Sequence, residues 1–464
     1  MDFRAINGGD GAMLKGLTGR TAAKRNSFAR HGVATVLVTA ATMALGLLTG
    51  ILVARTIGPD GRGALTAVLT TVQLLGWLFG MGCGKAVTYA LSRDHAAGGR
   101  LLSTWTLILL PVAAVAIGVG YLLLPTLLAA QPAETLALAR LYLPMIAMAL
   151  LSELMLGLIL GDQDFRSFNA LNFLQPAGVA IVYAALWATG RFTVEAAVIV
   201  QAAMSTLVLV VATAVLVRRH GISRPDPALG RQTVWYALRT HGDVVGGVIT
   251  QRLDLLIIPA FLSATQVGLY ALATSLSWLI VSLSGALATV VMPAATRRGQ
   301  SGRELVLNSL QATFAIGGLL GGGLFVFADI AIGLVYGPSF ADSALPLRLL
   351  LPGAILYAAA SILLNGLYAE NRPFTATLAN LLGMVVTLGG LLLFLRSGGI
   401  LAAAIVSTVA YTLVFATAAT LYRRATGLPW RVFLPDPAML AALPRRLIDK
   451  SAPAAATPAS PAGK

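Results

Sequence analysis

Charge is what this sequence has least of. Only 11% of its 464 residues are Asp, Glu, Lys or Arg, against roughly 25% in an ordinary soluble domain. That scarcity excludes a solvated globular surface. Cysteine is nearly absent too. Cys83 stands alone, so no intrachain disulfide forms. It lies between Gly82 and Gly84 in an apolar run and reads as a small packing residue rather than a reactive thiol. The four histidines, His31, His95, His220 and His241, share no metal-ligand spacing, so no metal is expected. No P-loop or dinucleotide glycine pattern occurs. The glycine runs at 317–318 and 321–323 lie in apolar sequence and read as helix packing rather than a phosphate cradle. Nothing resembles a catalytic constellation, and neither enzymatic activity nor a cofactor is expected. No cleavable signal peptide is expected either, because the first apolar run is far longer than a signal-peptide core.

What is present is apolar length. Hydrophobic residues make up 57% of the chain, and the reading is an all-α polytopic membrane protein. Bilayer-spanning helices need about 20 mostly apolar residues. Twelve such spans are predicted: 33–57, 64–91, 101–124, 136–160, 168–188, 194–217, 240–262, 266–292, 305–334, 345–368, 374–395 and 400–422. Gly, Ala, Ser and Thr run through all of them, as close helix packing in lipid requires. Pro111, Pro144, Pro176, Pro259 and Pro352 lie inside spans, where neighbouring helices or water satisfy the freed carbonyls.

The net charge of +15 sits in short loops and at the two ends, which argues against a nucleic-acid partner. Alternate loops carry Arg93, Arg100, Arg166, Arg218, Arg219, Arg224, Arg231, Arg297, Arg298, Arg303 and Arg372, and the last stretch adds Arg423, Arg424 and Arg431. The opposite loops carry only Arg62, Arg191 and Arg396. By the positive-inside rule, both termini are expected in the cytoplasm. The organisation that follows is a cytoplasmic segment over 1–32, six spans over 33–217, a cytoplasmic linker over 218–235, six spans over 236–422, and a partly disordered cytoplasmic tail over 423–464. The first segment reads equally as a surface amphipathic helix or a disordered tail.

The two halves match weakly at an offset of roughly 205 residues, a parallel repeat of the kind transporters use. Ile51-Leu52-Val53-Ala54 ending in Gly63 matches Ile257-Ile258-Pro259-Ala260 ending in Gly268, and Asp164-Phe165-Arg166 matches Glu370-Asn371-Arg372. Such a repeat predicts two six-helix lobes around a central cavity.

Charges inside spans are costly and mark function or pairing. Arg252 and Asp254 are the most conspicuous. They are two apart and point to different sides of one helix. Arg252 reads as a contact for an anionic phosphate group, whose oxygens its planar fork matches, or as one half of an interhelical ion pair. Asp254 reads as an ion-coupling residue or as the partner of a cavity arginine. Glu153, deep in the fourth span, is a second proton or sodium candidate, or a carboxyl kept neutral by burial. Arg55, Lys85, Arg140 and Arg348 are further substrate candidates, set against simple snorkelling from span ends. Arg239 and Asp243, four apart, read as a same-face ion pair.

A set of short motifs then points to a family. Ala54-Arg55 with Gly58-Pro59 and Gly63, Gly82-Cys83-Gly84-Lys85-Ala86, Arg252-Leu253-Asp254, Val267-Gly268-Leu269-Tyr270-Ala271-Leu272-Ala273, Met292-Pro293 and Val335-Tyr336-Gly337-Pro338-Ser339-Phe340 resemble the Wzx-type oligosaccharide flippases. These belong to the multidrug/oligosaccharidyl-lipid/polysaccharide (MOP) exporter superfamily. The resemblance covers about residues 33–422. It implies a bacterial inner-membrane protein that exports undecaprenyl-diphosphate-linked oligosaccharide by alternating access. Since no nucleotide site is visible in the sequence, a proton or sodium gradient or consumption of the product is expected to supply the driving force. The resemblance also implies glycosyltransferase and polymerase partners in polysaccharide synthesis. Two alternatives stand beside it: a cation-coupled multidrug exporter of the same superfamily, and a non-transporting scaffold of a polysaccharide assembly complex.

Overall fold

The computed structural model describes the backbone of residues 10–435 apart from 299 and 371; within the helices the side chains of 10–36, 240, 242–250, 283–298, 300–301, 373–374 and 376 lie outside the description. No strand occurs among the described residues. The helices are α1 (Asp10–Phe79), α2 (Cys83–Arg93), α3 (Gly98–Leu127), α4 (Ala133–Tyr142), α5 (Met145–Gly161), α6 (Phe165–Ala188), α7 (Val194–His220), α8 (Pro227–Phe261), α9 (Ala264–Arg298), α10 (Gln300–Val335), α11 (Ala344–Ala369) and α12 (Pro373–Thr426).

Nine stretches among the described residues are long and apolar enough to cross a bilayer. The chain is an all-α polytopic membrane protein. Two of the nine stretches, Leu37–Phe79 and Thr377–Thr426, each hold two of the spans expected from sequence. In each case one left-handed glycine bends the helix between them: Gly58 at φ +64 with Pro59 behind it, and Gly399 at φ +55. The seventh expected span lies in α8, where the side chains of 242–250 are outside the description.

Two spans differ from expectation. Residues 64–91 are not one helix, because the chain leaves helical geometry at Gly80–Gly82 and restarts at Cys83. Residues 136–160 are divided at Leu143–Pro144 between α4 and α5, whereas Pro111, Pro176 and Pro352 are absorbed inside helices.

Other helix starts follow local chemistry. Asp164 accepts the Ser167 N–H at 3.0 Å to cap α6. Asp226 accepts the N–H groups of Ala228 and Leu229 at 3.0 and 3.1 Å to cap α8, with Pro227 next in line. Side-chain oxygens at these positions satisfy amides that the first helical turn leaves unpaired. The linker expected over 218–235 is mostly helical, with only 221–226 irregular.

By packing, the chain divides into two units. The first holds Met1–Ala271, Ile332–Asp342 and Leu395–Ile400; the second holds Leu272–Ala331, Ser343–Phe394 and Leu401–Lys464. The first unit has two buried clusters. One centres on Val68, Val72, Ile146 and Tyr183, the other on Leu91, Trp105, Leu158 and Leu216. The second unit has its own core around Leu310, Tyr357, Leu363 and Tyr422, closed by Phe433 from the short turn after α12.

Candidate functional site

The interruption of the second span is the feature that needs polar chemistry inside the bilayer. Where a helix stops, its last carbonyls and the next helix's first amides lose their partners. Lipid offers no replacement. Here both ends are served by side chains of the first unit. Glu153 on α5 brings its carboxylate to the start of α2 and accepts the Gly84 N–H at 3.3 Å. The Cys83 thiol also lies within hydrogen-bonding reach of that carboxylate. A negative group at a helix N-terminus is favoured by the helix dipole. His241 on α8 places Nε2 at 2.9 Å from the Leu78 carbonyl in the last turn of α1. Since a carbonyl only accepts, Nε2 carries the proton.

The turn itself is strained. Met81 sits at φ +54 and Gly82 at φ +69. The left-handed region costs a residue with a Cβ roughly 1–2 kcal/mol, and such strain concentrates at sites of function. Glycines let the carboxylate in. A Cβ at Gly80 would stand 2.8 Å from Glu153 Oε2, and one at Gly157 would stand 2.7 Å from the Gly84 Cα, so α2 and α5 cross backbone to backbone. Thr88 ties the crossing by donating to the Gly157 carbonyl at 2.7 Å.

From this break a basic, aromatic face runs along α2 and α8. Lys85, Tyr89 and Arg93 are exposed at i, i+4 and i+8 on α2, opposite the buried Cys83, Ala86, Val87 and Leu91. Tyr89 stacks on Tyr236 of α8 with ring centroids 4.6 Å apart. Arg93 lies over the Tyr89 ring at 4.8 Å, and Arg239 over the Trp235 ring at 4.8 Å. The rings hold the guanidinium groups in place. Lys85 also feels the charge of Glu153. The strip can therefore bind an extended anion. Lys85, Glu153 and Arg239 are visible as charges in sequence. Tyr89, Arg93, Trp235 and Tyr236 were missed as site residues, because nothing in the sequence pairs α2 with α8. The ion pair expected between Arg239 and Asp243 lies outside the described residues.

The opposite end of the same unit, away from the arginine-rich loops, is closed by a backbone crossing. A Cβ on Gly63 would fall inside the Ala264 carbonyl, and one on Gly268 inside the Pro59 carbonyl. The contacts are reciprocal, since Gly63 and Gly268, like Pro59 and Ala264, stand at the offset of 205 that separates the hydrogen-bonded pair Asp60 and Thr265. Two side chains brace the crossing. Arg55 donates through Nε to the Val335 carbonyl at 2.8 Å and through Nη2 to Leu334, at the end of α10. Gln131 donates to the carbonyls of Pro259 and Leu262 at 3.1 and 2.8 Å, at the end of α8. Arg62, noted in the sequence only as a loop charge, is 7% exposed. It donates to the Gly50 carbonyl at 2.9 Å and lies 5.8 Å from the Tyr336 ring centre.

The remaining sequence candidates are not gathered at one point. Asp254 is 4% exposed; it accepts the Tyr270 hydroxyl at 2.6 Å and the Leu255 N–H at 2.8 Å. Arg252 is half-buried beside it and acts on it electrostatically. Arg140 is exposed over the Tyr121 ring at 5.0 Å, a snorkelling geometry. Arg348, in the second unit, forks onto Asp329 and donates to the Phe325 carbonyl at 3.0 Å. No metal-ligand cluster occurs among the described residues.

Comparison with solved structures defines the fold. The lipid II flippase MurJ in an inward closed conformation superimposes with a TM-score of 0.71 at 15% identity, over 86% of this chain and 89% of that one. An inward-facing multidrug resistance MATE transporter of the MOP superfamily gives 0.69 at 14% identity, over 91% of this chain and 100% of that one. The fold is that of MOP transporters.

A family profile described as polysaccharide biosynthesis protein matches residues 28–298, more than half of the chain, and the protein belongs to that family. A curated relative, the probable low-salt glycan biosynthesis flippase Agl15 of Haloferax volcanii, is 22% identical over 247 residues, 51% of this chain and 52% of that protein. The match spans about half the length of that relative.

Proposed function

We propose that this protein flips an anionic, polyprenyl-diphosphate-linked oligosaccharide from the cytoplasmic to the outer leaflet of a bacterial inner membrane. The substrate of the pathway is read as an undecaprenyl-linked repeat unit. The observation that carries this is the exposed cationic strip Lys85–Arg93–Arg239 beside an interrupted span. Exposed cations in such a strip suit a diphosphate headgroup and repel a cationic drug. The polysaccharide family match and the flippase relative supply the glycan.

Of the five basic residues singled out in sequence, Lys85 and Arg252 take the substrate role. Arg55 and Arg348 are engaged by carbonyls and by Asp329, and Arg140 serves the interface. Proton or sodium coupling is assigned to Glu153, whose carboxylate holds a strained turn together, ahead of Asp254, which Tyr270 holds. Transport proceeds by alternating access: the Gly63–Gly268 crossing seals the outer end while the strip meets the cytoplasm, and parts when the strip turns outward.

The test is a proteoliposome assay in which a labelled polyprenyl-diphosphate oligosaccharide becomes accessible to an impermeant reagent. The parent protein is expected to translocate it, and Lys85→Gln and Arg252→Ala to lose that activity at equal abundance. Translocation of a cationic dye instead would make it a drug exporter. Movement of neither would make it a scaffold.

A further inference from the structure

A second binding feature lies on the first unit, away from the basic strip. Helices α3, α5 and α7 leave between them a cavity of about 450 Å³. Leu102, Met155 and Leu209 form its buried floor. Leu107, Leu110 and Ile222 stand exposed along its walls at 62%, 50% and 78%. Along α3 it reaches from Leu102 to Leu110, about 12 Å at 1.5 Å per residue. That fits within the roughly 15 Å of hydrocarbon in one leaflet.

The mouth of the cavity is the irregular segment 221–226, whose Ile222 and Pro225 line it. This rim is pinned at several points. His220 Nε2 meets Asp162 at 2.7 Å. The Asp226 N–H donates to Thr104 Oγ1 at 2.8 Å, and Arg100 bridges Asp226 and Asp94 at 3.2 and 3.3 Å. Trp105 Nε1 donates to Thr233 at 3.0 Å, fixing α8 to α3. A Cβ at Gly98 would strike the His220 ring, so α3 is admitted to this corner only because it starts with glycine.

Two exposed arginines flank the rim: Arg218 follows the lining residue Val217, and Arg224 precedes the lining residue Pro225. Neither has an acidic partner among the described residues, whereas Arg219 pairs with Asp164 and Arg100 with Asp226. An apolar slot one leaflet deep, with fixed cations at its cytoplasmic mouth, matches an amphiphile with an acyl tail and an anionic head.

We propose that this groove binds one anionic phospholipid of the cytoplasmic leaflet, its acyl chain between α3, α5 and α7 and its phosphate at Arg218 and Arg224. The bound lipid braces the segment that leads into α8, the helix bearing Arg239, His241 and Arg252. The inference is independent of what the protein transports.

Native mass spectrometry of the purified full chain tests it, with phosphatidylglycerol and phosphatidylcholine of identical acyl chains supplied at equal concentration. The parent is expected to retain phosphatidylglycerol preferentially. Arg218→Gln with Arg224→Gln, at exposed positions, is expected to bring the two lipids to parity. Ser103→Trp, which places an indole in the slot, is expected to release both. Arg191→Gln, at the other end of the molecule, is expected to change nothing. Equal retention by the parent, or an unchanged preference in the double variant, overturns the proposal. So does displacement of phosphatidylglycerol by a polyprenyl phosphate, which would give the groove to the substrate's tail.

Discussion

Asp254 and Glu153 are both carboxylates within apolar helices, and the protein treats them differently. Asp254 is closed in, with one oxygen on the Tyr270 hydroxyl and the other on the Leu255 amide. Removing one partner of a buried hydrogen bond strands the other, at about 1–3 kcal/mol. Tyr270→Phe is therefore expected to lower thermal stability by that order, read by a melting curve in detergent; a variant that melts with the parent would show that Asp254 is served otherwise. Asp164, on the loop before α6, carries a pH signature. Partial burial works to raise its carboxyl, but the hydrogen bonds from Ser167 and Arg219 outweigh it and hold the group at about 2. A depressed folded value means the stabilisation is complete above the unfolded value of about 3.9 and is lost as pH falls from there through about 2. The stability gap between the parent and Asp164→Asn should thus stay level from neutral pH to about 5, then narrow in acid. Both carboxylates within the helices were legible in the sequence as costly charges. Their partners were not, because Tyr270 and Gly84 are brought in by packing alone.

At the scale of elements, apolar length located the spans but hid their interruptions. A hydropathy count sees Phe79-Gly80-Met81-Gly82-Cys83-Gly84 as more of the same apolar run. The signal that was available is the alternation of glycine at 80, 82 and 84, where a helix would have tolerated alanine. The same substitution should act with opposite sign inside the turn and in the helix before it. Gly82→Ala forces a Cβ into φ +69 and should cost about 1–2 kcal/mol. Gly76→Ala lies inside α1, where the new Cβ makes an ordinary 3.5 Å contact with Ala149, and should stabilise by about 0.5–1 kcal/mol. Thermal melting of the two variants decides. If Gly82→Ala is as stable as Gly76→Ala, the turn is not held in the left-handed region. At Gly58 and Gly399 the expected gap between two spans is only a bend, because a glycine at positive φ redirects the helix without ending it.

At the scale of the whole molecule, the repeat offset of 205 was readable from Gly63 and Gly268, and the structure brings those two glycines together. Arg55 of α1, reaching the end of α10, and Gln131, before α4 and reaching the end of α8, brace the crossing from two sides. Sequence offered Arg55 as a substrate contact or a snorkelling residue; its hydrogen bonds to the carbonyls of Leu334 and Val335 are a third engagement that only packing reveals. The crossing is small in side chains and rests on backbone approach; the proposed mechanism requires it to part. The most direct measurement of the alternating-access account is a disulfide placed across it. Asp60→Cys with Thr265→Cys, in a Cys83→Ala background, replaces the hydrogen-bonded pair beside the glycines with two thiols. On oxidation, translocation of the lipid-linked oligosaccharide should stop, and reduction should restore it. Full translocation with the bond intact would show that this end need not open, and would contradict the account.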